Sequence, residues 1–179
     1  ANDITGKMSG TMNVSGGTAT SNGSAIIGFQ GDGTAGGTLN VTGGTFTGAA
    51  TGGIVIIGTA GSGRGVVNVN GGTFTSVNDM TIAENASSSG SLNLTTGTVN
   101  FGTTAEKWLR INNGSSGNGS ITINGGTFNL NTNSDIRFGA AAAATGNNSI
   151  TINGGIMQGQ IATLVLHRQR ELLMKMRVM

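Results

Sequence analysis

The sequence has no cysteine, no proline and a single histidine, and only 9% of its 179 residues are charged. Without cysteine, neither a disulfide framework nor a thiolate metal site is possible, so a fold in an oxidising compartment must draw its stability from another source. His167 alone excludes a multi-histidine metal site or a histidine-based triad within one chain. The absence of proline leaves every backbone N–H free to join a hydrogen-bonded ladder. No apolar run reaches the roughly 18 residues that a membrane-crossing helix needs, so a membrane partner is not expected. The few charges are also unevenly placed. Residues 1 to 166 sum to a net charge of −1, whereas Arg168, Arg170, Lys175 and Arg177 against Glu171 give the last thirteen residues +3. The basic balance is thus a property of the tail. The body has no cationic stripe of the kind that phosphate backbones require, and nucleic acid is excluded as a partner.

Glycine fills the space these residues leave, with 34 copies. In an aperiodic chain such a content signals disorder, but this chain repeats. Six segments align without gaps: TMNVSGGTAT from Thr11, TLNVTGGTFT from Thr38, VVNVNGGTFT from Val66, SLNLTTGTVN from Ser91, SITINGGTFN from Ser120 and SITINGGIMQ from Ser149. Their second glycines stand at Gly17, Gly44, Gly72, Gly97, Gly126 and Gly155, spaced 27, 28, 25, 29 and 29 residues apart. Each period reads as one coil of a solenoid.

Within a segment, apolar residues alternate, as in Leu39/Val41, Val67/Val69 and Ile121/Ile123. That period of two marks a strand with one buried face. The positions between them, Asn13, Asn40, Asn68, Asn93, Thr122 and Thr151, form an outward column that stacking at about 4.8 Å per coil brings within hydrogen-bonding reach. The glycine pair then permits a tight bend through positive φ. A second strand follows, centred on Ala19, Phe46, Phe74, Val99, Phe128 and Met157, which point inward. Its flanks point outward as an array of Thr18/Thr20, Thr45/Thr47, Thr73/Thr75, Thr98/Asn100 and Thr127/Asn129. A third strand recurs at Ala25–Gly28, Val55–Gly58, Met80–Ala83, Leu109–Asn112 and Ile136–Gly139. From its last apolar residue to the first of the next repeat the separations are 12, 10, 10, 10 and 12, all even, whereas the loops between second and third strands vary freely.

Three short strands per coil of about 25–29 residues predict an all-β right-handed parallel β-helix, the hand following the general rule for parallel crossovers. Six coils span about 25–30 Å of axis at the usual strand spacing. Residues 1–166 form this solenoid, and residues 167–179 a tail of different character. Units such as VIIGTAGSGRGVVNVNGGTFT resemble the repeat of type V secretion (autotransporter-type) passengers and of exosortase-sorted PEP-CTERM surface proteins. The resemblance covers roughly residues 4 to 158. It is carried by Ile27-Gly28, Leu39-Asn40-Val41, Gly43-Gly44, Ile57-Gly58, Val67-Asn68-Val69 and Gly71-Gly72. It implies a secreted or surface-displayed bacterial stalk, structural or adhesive, with a surface glycan or host molecule as the ligand class. These 179 residues contain neither a Pro-Glu-Pro motif nor a membrane-barrel segment, so neither family's anchor is assigned.

In the tail, Leu172, Leu173, Met176 and Met179 share a helical face, which predicts a short amphipathic helix that caps the last coil or contacts a neighbouring subunit. At the other end Ile4-Thr5-Gly6 resembles a worn third strand with no cap, which suggests that another copy's end, or an upstream part of the same chain, stacks there. Chemistry is sparse: the body's six acids read as scattered, no carboxylate pair recurs on one outward face, and no catalytic residue, cofactor or metal ligand is expected. Gly31-Asp32-Gly33 resembles a calcium-binding turn but does not recur. The expected function is an extracellular structural or adhesive solenoid. The alternative is ice or glycan binding through the flat Thr/Asn array.

Overall fold

The computed structural model describes residues 6–8, 10–29, 36–104, 106–139 and 145–166. Along these the period-two segments form parallel strands. In chain order they are β1 (Gly6–Met8), β2 (Thr11–Val14), β3 (Thr18–Thr20), β4 (Ala25–Ile27), β5 (Gly36–Val41), β6 (Thr45–Gly48), β7 (Val55–Ile57) and β8 (Arg64–Ser76). There follow β9 (Met80–Ile82), β10 (Ser89–Phe101), β11 (Trp108–Ile111), β12 (Asn118–Ile123), β13 (Thr127–Phe138), β14 (Asn148–Ile152) and β15 (Ile156–Leu166). The long strands arise where the chain passes a corner without losing its ladder. β8 and β10 run through the glycine corner, while β13 and β15 continue from second-strand into third-strand positions.

All pairings are parallel and join strands one coil apart, which makes the fold a β-solenoid. In the first stack β2, β5, β8, β10, β12 and β14 follow one another, with Met12, Leu39, Val67, Leu92, Ile121 and Ile150 in one register column. The second stack sets Ala19, Phe46, Phe74, Val99, Phe128 and Met157 in another. The third begins with β1, whose Gly6, Lys7 and Met8 pair with Ala25, Ile26 and Ile27. The first third-strand segment among the described residues is thus Gly6–Met8, with Met8 in the register of the buried Ile27. Among the described residues there is no helix; the amphipathic helix expected over 167–179 lies outside them.

The core is a column of layers. Each layer takes two side chains from each strand, and the large residue changes place between layers. In one layer Phe74 fills the centre beside the small Ser76; in the next, Val99 stands above Phe74 and Phe101 above Ser76, all four buried. Between these two layers the aromatic is kept while its position moves by two residues, which conserves volume in an interior that tolerates neither voids nor overpacking. Below them Phe46 stacks on Phe74 with ring centroids 5.7 Å apart and planes 4° from parallel.

Two kinds of corner bend the coil. After the first strand the second glycine takes positive φ at Gly17 (69°), Gly44 (69°), Gly97 (94°), Gly126 (74°) and Gly155 (77°), whereas in β8 the role moves to Gly71 (119°). That explains why Thr96 can replace a first glycine without breaking the coil. After the third strand a further column of left-handed residues was not anticipated: Gly28 (82°), Gly58 (81°), Ala83 (60°), Asn112 (63°) and Gly139 (73°). The ladder passes through this corner, since Gly58 N donates to Ile27 O, Ala83 N to Ile57 O and Asn112 N to Ile82 O, at 2.8, 2.8 and 2.6 Å. Asparagine tolerates the left-handed region, and Asn112 secures its turn by accepting a bond from Gly114 N at 3.1 Å.

Candidate functional site

The outward column of the first stack forms the expected ladder. Asn40 Nδ2 donates to Asn13 Oδ1 at 2.8 Å, Asn68 to Asn40 at 2.9 Å and Asn93 to Asn68 at 2.9 Å. The ladder stops where Thr122 and Thr151 succeed asparagine.

On the second stack the predicted array is in register. Thr18, Thr45, Thr73, Thr98 and Thr127 align in one column, and Thr20, Thr47, Thr75, Asn100 and Asn129 in the other. Its two halves differ chemically. Asn129 Nδ2 donates to Asn100 Oδ1 at 2.8 Å and Gln158 Nε2 to Asn129 Oδ1 at 2.9 Å, so these amides turn toward one another along the axis. Ile156 then ends the threonine column. The uniform Thr-x-Thr surface covers three coils.

A second cluster, on the third stack, escaped the sequence reading. Trp108 aligns with Asp135 on one side, and on the other Leu109 aligns with Met80, which places Asp79 one coil before Trp108. The acids are therefore not all scattered: Asp79 and Asp135 share an outward column with the indole between them. Glu106 stands 29 residues before Asp135, but the register gives the coil-step position beside Asp135 to Trp108, two residues further on. In the adjoining column Thr81, Arg110 and Arg137 align. Arg110 pairs with Asp79 at 3.3 Å and Arg137 with Asp135 at 2.9 Å, and Asp79 Oδ1 accepts the Trp108 backbone N–H at 3.0 Å. Both guanidinium carbons lie close to the indole, at 4.4 Å for Arg110 and 4.1 Å for Arg137 from the ring centroid. Such cation–π contacts hold the ring in place. Trp108 remains 37% exposed, and with Asp79 and Glu106 it lines a recess of about 360 Å³.

Glu84 is the remaining acid among the described residues. Glu84 accepts a bond from the buried Thr59 hydroxyl at 2.6 Å, and that hydroxyl accepts from Asn85 Nδ2 at 2.8 Å. Among the described residues no three histidine, cysteine, aspartate or glutamate side chains gather to hold a metal ion. Asp32 with its glycine neighbours, His167, and the tail residues Leu172, Leu173, Met176 and Met179 lie outside the described residues.

At the C-terminal end of the described stack β14 and β15 pair only with β12 and β13, and Ile156, Ile161 and Leu164 are 54%, 42% and 40% exposed. These three and Trp108 are the exposed large hydrophobic residues among those described. No protein-family model, no curated protein and no solved structure matches the chain.

Proposed function

We propose that the chain is an extracellular, surface-associated rod, structural or adhesive in role, that lengthens by stacking head to tail with further copies of itself. The observation that carries this reading is the pair of complementary strand edges. Among the described residues, β2 and β3 at one end pair only with β5 and β6, while β14 and β15 at the other pair only with β12 and β13. Every coil between them satisfies both edges with a parallel neighbour in register, and an unpaired edge is a template for another strand. The exposed Ile156, Ile161 and Leu164 add apolar surface to the C-terminal edge, where a further coil would cover it. The contact is heterologous, using a different surface on each partner, and such a contact extends without limit unless it closes. The bacterial and extracellular setting rests on the resemblance of the repeat to autotransporter-type and PEP-CTERM surface proteins.

Sedimentation velocity over a concentration series tests the reading. The parent chain is expected to form species that lengthen with concentration. The double variant Ile161→Lys/Leu164→Lys, which places two charges on the C-terminal edge, is expected to remain at the smallest species. A parent chain that stays monomeric throughout the series would overturn it.

A further inference from the structure

The two ends of the described solenoid do not mate as they stand, and we propose that β1 is a placeholder strand, displaced in the filament by the last segment of β15 from another copy. The exchange rests on the head-to-tail reading above and specifies its joint. At the C-terminal end the three stacks finish on one level, the first with β14, the second with residues 156–159 of β15 and the third with residues 163–166 of the same strand. The N-terminal end is stepped. There β2 and β3 open the first two stacks, whereas in the third β1 already covers β4. Among the described residues the third stack thus holds seven strands, β1, β4, β7, β9, β11, β13 and β15, against six in each of the others.

That step creates a conflict. When β2 and β3 of an incoming copy continue the ladders of β14 and β15, residues 163–166 of the first copy and β1 of the second fall on the same level of the third stack. Only one of them fits. Keeping β1 lifts the incoming copy by one layer, about 4.8 Å, and leaves the first two stacks without a partner strand at the joint. Their backbone groups then stay unpaired and Ile156, 54% exposed, stays uncovered. Removing β1 lets all three stacks continue in register.

The residue types favour the exchange. β1 sets Gly6-Lys7-Met8 against Ala25-Ile26-Ile27 of β4. Carrying the register of β13 on β15 one coil further sets Leu164-Val165-Leu166 against the same three residues. Glycine brings no side chain to the layer and both glycine and lysine are depleted in strands, whereas valine is enriched there. Leu164, 40% exposed at the open end, gains the buried Ala25 as its neighbour along the axis. What holds β1 in place is its tether. It joins β2 through Ser9-Gly10 alone, and a link that short gives an effective concentration on the order of millimolar. At low concentration β1 therefore blunts the edge of β4, and it yields where the C-terminal ends of other copies are abundant. The strand is a brake on assembly.

The chain has no cysteine, so engineered pairs report the joint without background. Residues directly paired on neighbouring strands lie within disulfide reach. Three double variants of the full chain are treated with oxidised glutathione and read on non-reducing gels and by sedimentation velocity. Ile26→Cys/Val165→Cys should give a covalent ladder of dimers, trimers and longer chains that a reducing agent collapses. Lys7→Cys/Val165→Cys should stay at monomer mass. Lys7→Cys/Ile26→Cys, oxidised while dilute, should lock β1 onto β4 and hold the chain at the smallest species at every concentration where its reduced form lengthens. The reduced form of each variant is its own control for folding, and if the locked variant fails to fold, the two cross-linking variants decide. A ladder from the pair at 7 and 165 in place of the pair at 26 and 165, or lengthening that the disulfide between 7 and 26 leaves unchanged, would overturn the exchange while leaving head-to-tail stacking intact. A parent chain that never lengthens removes stacking and exchange together, and that result is read before any cysteine is introduced.

Discussion

Asn68 donates its side-chain amide to Oδ1 of Asn40 at 2.9 Å, although the two residues are 28 positions apart in the sequence. Asn68 also accepts the equivalent bond from Asn93, so its side chain is both donor and acceptor in one axial chain. Bonds linked in series polarise one another and fix the register of the coils that carry them.

Replacing Asn68 tests the ladder. Asn68→Ala removes two half-buried bonds and is expected to cost about 1 kcal/mol. Asn68→Asp keeps an acceptor for Asn93 but sets a carboxylate oxygen against Oδ1 of Asn40, and is expected to cost about 1–3 kcal/mol. Denaturant titration of both variants should rank Asp below Ala in stability; the reverse order would show that the ladder is not a coupled unit.

The corner after the third strand offers a sharper contrast. Gly58 has φ 81°, and a Cβ added there would lie 2.0 Å from the carbonyl oxygen of Ser89, whereas one added at Gly52 meets nothing within 4 Å. Gly58→Ala is expected to destabilise by about 3 kcal/mol or more, and Gly52→Ala to stay within about 0.5 kcal/mol of the parent. Equal melting temperatures for the two variants would refute this account of the corner.

The migrating aromatic predicts non-additivity. Phe101→Ser empties part of a layer and should cost about 3–5 kcal/mol, and Val99→Phe overfills it and should cost about 1–3 kcal/mol. The double variant restores the Phe74/Ser76 arrangement of the layer below. It should be more stable than Phe101→Ser alone, an outcome a double-mutant cycle reads directly.

For the threonine array the expected result is negative. Asn100, Asn129 and Gln158 spend their amides on one another, and the paired threonine columns persist for only three coils, so the ordered hydroxyl surface is short. Thermal hysteresis should be absent at millimolar protein. A measurable gap between melting and freezing points would revive ice binding as the use of this face.

The coil and its inward and outward columns were legible because Leu39/Val41 and their equivalents repeat both alternation and spacing, and a strand with one buried face leaves that trace in any copy. The second corner was not, since Gly28, Gly58, Ala83, Asn112 and Gly139 share a backbone angle without sharing a residue type. The Trp108 cluster was hidden for a related reason. Asp79, Trp108 and Asp135 stand 29 and 27 residues apart beside loops of unequal length, so the nearest coil-length match, Glu106 with Asp135, is off by two positions. Only the register of β11 against β13 brings the indole between the acids.

The measurement that bears most directly on the rod is electron cryomicroscopy of the purified chain at increasing concentration. Stacking of coil on coil predicts filaments of one-coil width whose length grows with concentration and whose diffraction carries a meridional reflection at about 4.8 Å from parallel strands normal to the axis. Short rods of constant length at every concentration would contradict head-to-tail growth, and filaments without that reflection would contradict growth by continuing the ladder.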